Sequence, residues 1–263
     1  MDVPTIRPAN LADIGAIAAL MHAGMSPLVQ RITILGSPLL SAFVAAQIGS
    51  PSGDRFTVAE AGGQIAGVAA WRQVGTALIL NHLYVQEDIR GHGIGTLLLS
   101  AGLQMWEERG VQTVEVDVFS ESQRVGAWYA ALGMEPQYRR SWLETTLPAP
   151  RSMSGGKCTV EGLEQADLDH ARQGFSQFKL ITFNGEYAIG RLAEAVFRTG
   201  GLAILADRPA LEALGTLDAR RSLVCFAPPE ALCEEMLRRG RVLTESERLT
   251  CAAPRLAATL QAG

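Results

Sequence analysis

The sequence predicts an α/β fold on a mixed sheet, and three observations carry that expectation. Short runs alternate apolar and polar residues with a period of two, Thr76–Val85 and Val111–Phe119 most clearly, as strands do. Between them, Thr96–Arg109 places Leu97, Leu98, Ala101 and Met105 at helical spacing, so the two strands should lie parallel. The runs before Thr76 are joined by loops too short for anything but antiparallel pairing.

Each element follows in order. Thr5-Ile6-Arg7-Pro8 alternates and meets Asn10, a capping residue, so a first strand should enter a helix at Leu11–Met21, with Ile14, Ile17, Ala18 and Met21 on one face. His22–Gly36 is looser, holding Gly24, Pro27 and Gly36. Ser37–Ile48 is helical again, with Leu39, Leu40, Phe43 and Val44 apolar. Ser50-Pro51-Ser52-Gly53-Asp54 is a turn cluster. Phe56–Ala59 and Ile65–Arg72 read as a hairpin about Gly62-Gly63, and Val74-Gly75 turns the chain into Thr76–Val85. The helix begun at Gly93 should stop at Gly110, a C-cap. Ser122–Leu132 is the next helix, ended by Gly133, and Met134–Thr146 a returning strand.

Leu147–Gly156, rich in Pro, Ser and Gly, is the clearest linker. It divides the chain into an expected domain at 1–147, a linker at 148–156 and a smaller α/β domain at 157–263. In the latter, Cys158-Thr159-Val160 reads as a strand and Leu163–Gln173 as a helix. Gly185–Thr199 reads as a helix from the spacing of Tyr187, Leu192, Val196 and Phe197, and Leu202–Ala206 as a strand. Pro209–Leu214 is a short helix, Ser222–Phe226 a strand, Pro229–Arg239 a helix and Val242–Cys251 a strand. Val114–Leu147 and Leu223–Pro254 share the order strand, helix, glycine, strand, with Phe119 matching Phe226 and Gly133 matching Gly240 under one shift. A degenerate second copy is expected from this.

Of the 263 residues, 48% are hydrophobic and 19% charged, the balance of a globular chain. The net charge of −4 supplies no basic footprint for nucleic acid. No apolar stretch approaches the roughly 20 residues of a membrane helix, and MDVPTIRPAN lacks the apolar core of a secretory signal. Cys158, Cys225, Cys233 and Cys251 show no metal-ligand spacing and read as reduced thiols of a cytoplasmic protein.

The stretch with chemistry in it is Leu83–Gly95, LYVQEDIRGHGIG. The first amides of a helix have no partner inside it and sit at the positive end of its dipole, where phosphate can bind. Gly91, Gly93 and Gly95 remove side chains from that approach, and Arg90 adds a planar cationic fork. Three readings compete. A structural turn needs fewer glycines. A dinucleotide fingerprint needs Gly-x-Gly-x-x-Gly, and here the third glycine falls one place early, although Asp117 lies at a suitable distance for a ribose carboxylate. The third is a pyrophosphate cradle for coenzyme A.

For that third reading, Arg90-x-x-Gly93-x-Gly95 after a Leu-Tyr-Val strand resembles the acyl-CoA signature of the GCN5-related N-acetyltransferase (GNAT) family. Ala127-Trp128-Tyr129-Ala130-Ala131-Leu132-Gly133-Met134 is similar to the family's second marker. The likeness covers Thr5 to Leu147. It implies a GNAT fold, acetyl-CoA as co-substrate and transfer to a primary amine, expected to be that of a small molecule, directly in a ternary complex. It also implies two splayed parallel strands that admit the pantetheine arm, with Leu83, Tyr84 and Val85 pairing to it. Arg90, Gly91, His92, Gly93, Ile94, Gly95, Thr96 and Ser122 would complete the coenzyme site, and Met25–Leu35 would border the acceptor. The residues leave the oligomeric state open, a homodimer included.

Transfer requires a donor to the thioester oxygen as it turns negative, for which a backbone amide at Leu83 or Val85 suits. It requires an acid for the departing thiolate, which the resemblance places at Tyr129. It also requires a base, because an alkylamine with pKa near 10.4 is almost wholly protonated at neutral pH. Thr76–Val85 holds no acid, so His82 is the first candidate, with Glu115, Asp117, Ser120 and Glu121 behind it. The missing glutamate and the degenerate second half also suit a non-catalytic acyl-CoA-binding or regulatory module.

Overall fold

The computed structural model describes residues 4–106, 109–149 and 158–262. The chain divides into two compact units: Met1–Met25, Val44–Tyr138 and Glu247–Gly263 form the first, Ser26–Phe43 and Arg139–Ser246 the second. Neither is one run of sequence.

In the first unit, β1 (Thr5–Pro8), β2 (Arg55–Ala61), β3 (Gln64–Val74) and β4 (Ala77–Val85) pair antiparallel in turn. The β2–β3 turn uses Gly62 and Gly63, both at positive φ (58° and 76°), as a tight hairpin demands. β5 (Thr113–Phe119) lies parallel to β4, joined through α4 (Ile94–Trp106). The end of β12 (Arg241–Ala252) flanks β5, and α9 (Ala253–Ala262) follows it. Asn10 caps the entry to α1 (Ile14–Ala23) in a reciprocal capping box with Asp13.

The core explains the order. Trp71 on β3 and Leu78 and Leu80 on β4 are buried with Leu98 and Leu99 of α4 and Leu249 and Leu256 near the C-terminus. α4 approaches β3 closely at Gly102, where a Cβ would lie 2.3 Å from the Trp71 ring. The antiparallel meander and the parallel β4–β5 pair agree with the sequence. The helix expected to reach Arg109 is described to Trp106, since residues 107–108 lie outside the described set.

The second unit repeats the plan. β7 (Cys158–Glu161), β8 (Phe175–Thr182), β9 (Glu186–Leu192) and β10 (Val196–Gly200) pair antiparallel in turn, with α6 (Leu163–Gln173) between the first two. α7 (Arg208–Leu217) leads from β10 to β11 (Ser222–Ala227), which lies parallel to β10. β6 (Glu135–Thr146) pairs antiparallel with β11, and α8 (Glu234–Arg239) precedes β12. α2 (Pro27–Ile32) belongs to this unit, where Arg31 bonds Glu144 of β6 at 2.6 Å. α3 (Leu40–Gly49) begins where Ser37–Ile48 was expected to be helical.

Four differences from the sequence reading stand out here. Gly185–Thr199 is not a helix but β9 and β10, turning at Ala193 with φ 43°. Leu202–Ala206 is not a strand; Ala203–Ala206 forms a 3-10 turn. Phe175–Thr182 is a strand that was not foreseen. Pro229–Ala231 is likewise a separate 3-10 turn before α8. Of the expected linker, Leu147–Ala149 carries no helix or strand, and 150–156 lie outside the described residues.

Candidate active site

A cavity of about 660 Å³ opens within the first unit, at the C-terminal ends of β4 and β5. Its shape follows from where two strands part. The β4–β5 ladder runs from Ala77–Thr113 to Leu80–Val116 and ends there. β4 continues five residues to Val85 and β5 three residues to Phe119 without pairing to each other. The edge of β4 that would meet β5 is therefore open to a ligand with its own donors and acceptors.

A bulge sets which side chains line that edge. Trp71 pairs with Leu80 and Ala70 with His82, so Asn81 is an extra residue in β4. The core face shifts from Leu78 and Leu80 to Leu83 and Val85, which pack against the same cluster. His82 and Tyr84 share the opposite face, with ring centroids 5.9 Å apart and planes 26° from parallel. Tyr84 rests against the end of α1, where a Cβ on Gly24 would come within 2.2 Å of its ring. Asn81 donates to both oxygens of buried Asp54, at 3.1 and 3.0 Å, and Arg72 bonds the same carboxylate at 2.7 Å.

The glycine turn closes one end of the cavity. A 3-10 turn at Glu87–Ile89 leads to Gly91 and Gly93, at φ 84° and 79°, values that other residues rarely adopt. Leu97 N donates to Gly93 O at 3.0 Å, which makes Gly93 the cap of α4. The N–H groups of Ile94, Gly95 and Thr96 precede the first intrahelical bond and face the positive end of the dipole. Arg90 Nε donates to Val85 O at 3.0 Å, tying the arginine to the end of β4. Trp128 of α5 (Gln123–Ala131) closes over the helix start, 3.3 Å from where a Gly95 Cβ would stand.

Of the expected site residues, His82, Leu83, Tyr84, Val85, Arg90, Gly91, Gly93, Ile94, Gly95, Thr96, Ser122 and Tyr129 all line this cavity. His92 does not; its Nδ1 lies 3.1 Å from Ile89 O and it belongs to the turn. Of Met25–Leu35, Met25 lines the cavity, while Val29, Ile32, Ile34 and Leu35 are buried. Sequence reasoning missed Arg124, in the first turn of α5, and Trp128; both line the cavity. Arg124 was legible as a second cation, two residues past Ser122.

Two phenols and one imidazole of the cavity are held neutral by burial. Tyr129 is 2% exposed, and burial, with Tyr84 nearby, raises its pKa. Burial raises Tyr84 likewise. Both remain phenols at neutral pH, and neither hydroxyl hydrogen-bonds to a described residue. Burial pushes His82 down to about 4, against the opposing pull of Asp54, so it is a neutral imidazole. Asp117 is the carboxylate on the cavity wall. Arg248, brought by β12, donates to it through Nε at 2.7 Å and to Glu115 at 2.6 Å, with its guanidinium 5.7 Å from the Tyr138 ring.

The second unit lacks this arrangement at the matching place. The β10–β11 ladder runs unbroken from Val196–Ser222 to Gly200–Phe226, and Gly201 N extends it to Phe226 O at 2.9 Å. The start of α7 is closed by its own cap, since Asp207 accepts from Ala210 N at 3.2 Å. Thr182 and Tyr187 donate to that carboxylate too, and these bonds outweigh burial and lower its pKa.

Residues 52–136 match the family model described as an acetyltransferase (GNAT) domain. No curated protein matches the chain. Among solved structures, the chain is similar to a tandem GNAT protein from the clavulanic acid biosynthesis pathway, with TM-score 0.66 and 12% identity over 95% of this chain and 98% of that one. It is similar also to a GCN5-related N-acetyltransferase from Sphaerobacter thermophilus, with TM-score 0.66 and 18% identity over 96% of each. Residues 52–136 thus match the GNAT domain family, and the chain has the fold of a GNAT protein with a second GNAT-like half.

Proposed function

We propose that the first unit is an acetyl-CoA-dependent N-acetyltransferase that acts on a primary amine of a small molecule by direct transfer. One observation carries this reading: the β4–β5 ladder stops at Leu80–Val116 on the same cavity that receives the unbonded amides of Ile94, Gly95 and Thr96. A diphosphate fits the helix start, with Arg90 and Arg124 as cations beside it. An amide-bearing arm fits the open edge of β4.

In the transfer, a nitrogen–carbon bond forms and the carbon–sulfur bond breaks. A β4 amide, at Leu83 or Val85, donates to the thioester oxygen as it turns negative. Tyr129, kept protonated by burial, gives its proton to the departing thiolate. His82 accepts from the incoming amine. Its weak basicity suits it to passing that proton to water rather than holding it.

A second reading, a non-catalytic acyl-CoA-binding module, is favoured by the clamped state of Asp117, the carboxylate on the wall. Thiol release from acetyl-CoA across a panel of small amines separates the two. Amine-dependent release supports transfer, whereas calorimetric binding of coenzyme A without release supports the module. Calorimetry with NAD(H) tests the dinucleotide alternative, and heat with NAD(H) alone would overturn both.

A further inference from the structure

We propose that the second unit holds a binding site for a small oxyanion on a flat apolar body, an aryl carboxylate or aryl phosphate, centred on Arg198 and floored by Trp142 and Phe226.

Arg198 sits in the middle of β10, half-buried, on the sheet face opposite Phe197 and Thr199. Across the ladders its row reads Gln177, Gly190, Arg198, Val224, Glu144. The immediate neighbours offer it nothing, since Gly190 has no side chain and Val224 is aliphatic. Glu144, one strand further, is taken by Arg31, Ser222 and Arg241 at 2.6, 2.7 and 3.1 Å. Among the described residues Arg198 makes no hydrogen bond and no ion pair, and its guanidinium carbon lies 5.9 Å from the Trp142 ring. By contrast Arg221, buried in the same unit, bonds Asp218, Leu192 O, Val196 O and His170.

A desolvated cation without a counter-charge destabilises a fold. Consistent with this, burial alone lowers the Arg198 pKa, to about 10, and no carboxylate offsets it. Five donors in a planar fork await a planar or tetrahedral oxyanion. The floor beside it suits a flat group. The Trp142 and Phe226 rings lie with centroids 5.3 Å apart and planes tilted by 38°, and the Arg140 guanidinium lies 5.3 Å from the Phe226 ring. Gly200, two residues after Arg198 on the same face, is exposed, and a Cβ there would stand 3.4 Å from the Phe226 ring. The missing side chain leaves the edge of the Phe226 ring open on the same face of β10 as Arg198.

The test is thermal unfolding and calorimetry of the full chain in a Tris buffer, titrated with benzoate, phenyl phosphate and inorganic phosphate. The expected result is a saturable rise in Tm with benzoate or phenyl phosphate, whichever binds more tightly naming the source of the oxyanion, and a smaller rise with inorganic phosphate. Arg198→Met should weaken binding at least about tenfold and, without ligand, should melt at or above wild type. Gly200→Val keeps the cation but covers that ring edge, and should weaken the aryl ligands while sparing inorganic phosphate. No saturable shift with any of the three, or an equal shift in Arg198→Met, overturns the proposal. A ligand-free Arg198→Met protein that melts well below wild type also overturns it, because Arg198 would then be a structural group.

Discussion

At the scale of the residue, the cavity is a place where ordinary pKa values fail. Tyr129 was legible through its setting, a tyrosine before Ala-Ala-Leu-Gly, but its burial was not. His82 was legible only as an imidazole with a useful unperturbed pKa. That burial would push it to about 4 depends on the Asn81 bulge, which nothing local in Ile79–Val85 announces. Three outcomes follow. Tyr129→Phe should slow turnover by about 10²-fold with coenzyme A affinity unchanged in calorimetry; an unchanged rate would remove Tyr129 from the mechanism. The rate should show no limb at pH 6.5 arising from His82, because the folded protein protonates it only near 4. Between 6.5 and 4 the unfolded chain binds that proton and the native state does not. Stability therefore falls as pH drops through this window, by about 3 kcal/mol. His82→Gln should flatten that part of the Tm–pH curve, and an identical curve would contradict the assignment.

At the scale of the element, legibility tracked how far local pattern decides conformation. The strand, glycine turn and helix from Thr76 to Trp106 were readable because alternation, positive-φ glycines and helical spacing agree. Gly185–Thr199 misled because Tyr187, Leu192, Val196 and Phe197 satisfy a helical period by accident. In the structure Tyr187 and Ile189 face the core from β9 and Phe197 from β10. Leu202–Ala206, a short apolar run, is ambiguous by period alone. No pattern near Arg31 foretold that α2 would be pinned by Glu144 of β6. Burial opposes ionisation of Glu144, but bonds from Arg31, Ser222 and Arg241 prevail and hold its pKa at about 2. Its folded pKa is depressed, so its contribution is present above about pH 4.5 and is lost as pH falls toward 2. Glu144→Gln should cost about 2–4 kcal/mol at pH 7 by urea unfolding, and less at pH 3; a cost that does not shrink with acid would contradict this.

At the scale of the whole molecule, the first unit ends with the last residues of the chain. Leu249, Cys251, Ala253 and Leu256 are buried with Leu98, Leu99 and Trp106, and Arg248 clamps Asp117 on the cavity wall. A strand's neighbour is a long-range choice, and no residue near Glu247 states it. Expressed alone, residues 1–147 should therefore unfold at lower urea than the intact chain and expose apolar surface to a dye. Equal stability would mean those buried contacts contribute nothing. The repeat of strand, helix and strand was legible in the matches of Phe119 with Phe226 and Gly133 with Gly240. What was not legible is that Thr182 and Tyr187, brought in by tertiary folding, would also bond Asp207, the local N-cap of α7.

The central claim is that one parted strand pair and the first amides of one helix, both in the first unit, grip the coenzyme. Calorimetric titration of the intact chain with coenzyme A tests it most directly. The account predicts one equivalent per chain, weakened about tenfold or more by Arg90→Ala. Two equivalents per chain, no heat, or a heat untouched by Arg90→Ala would contradict it.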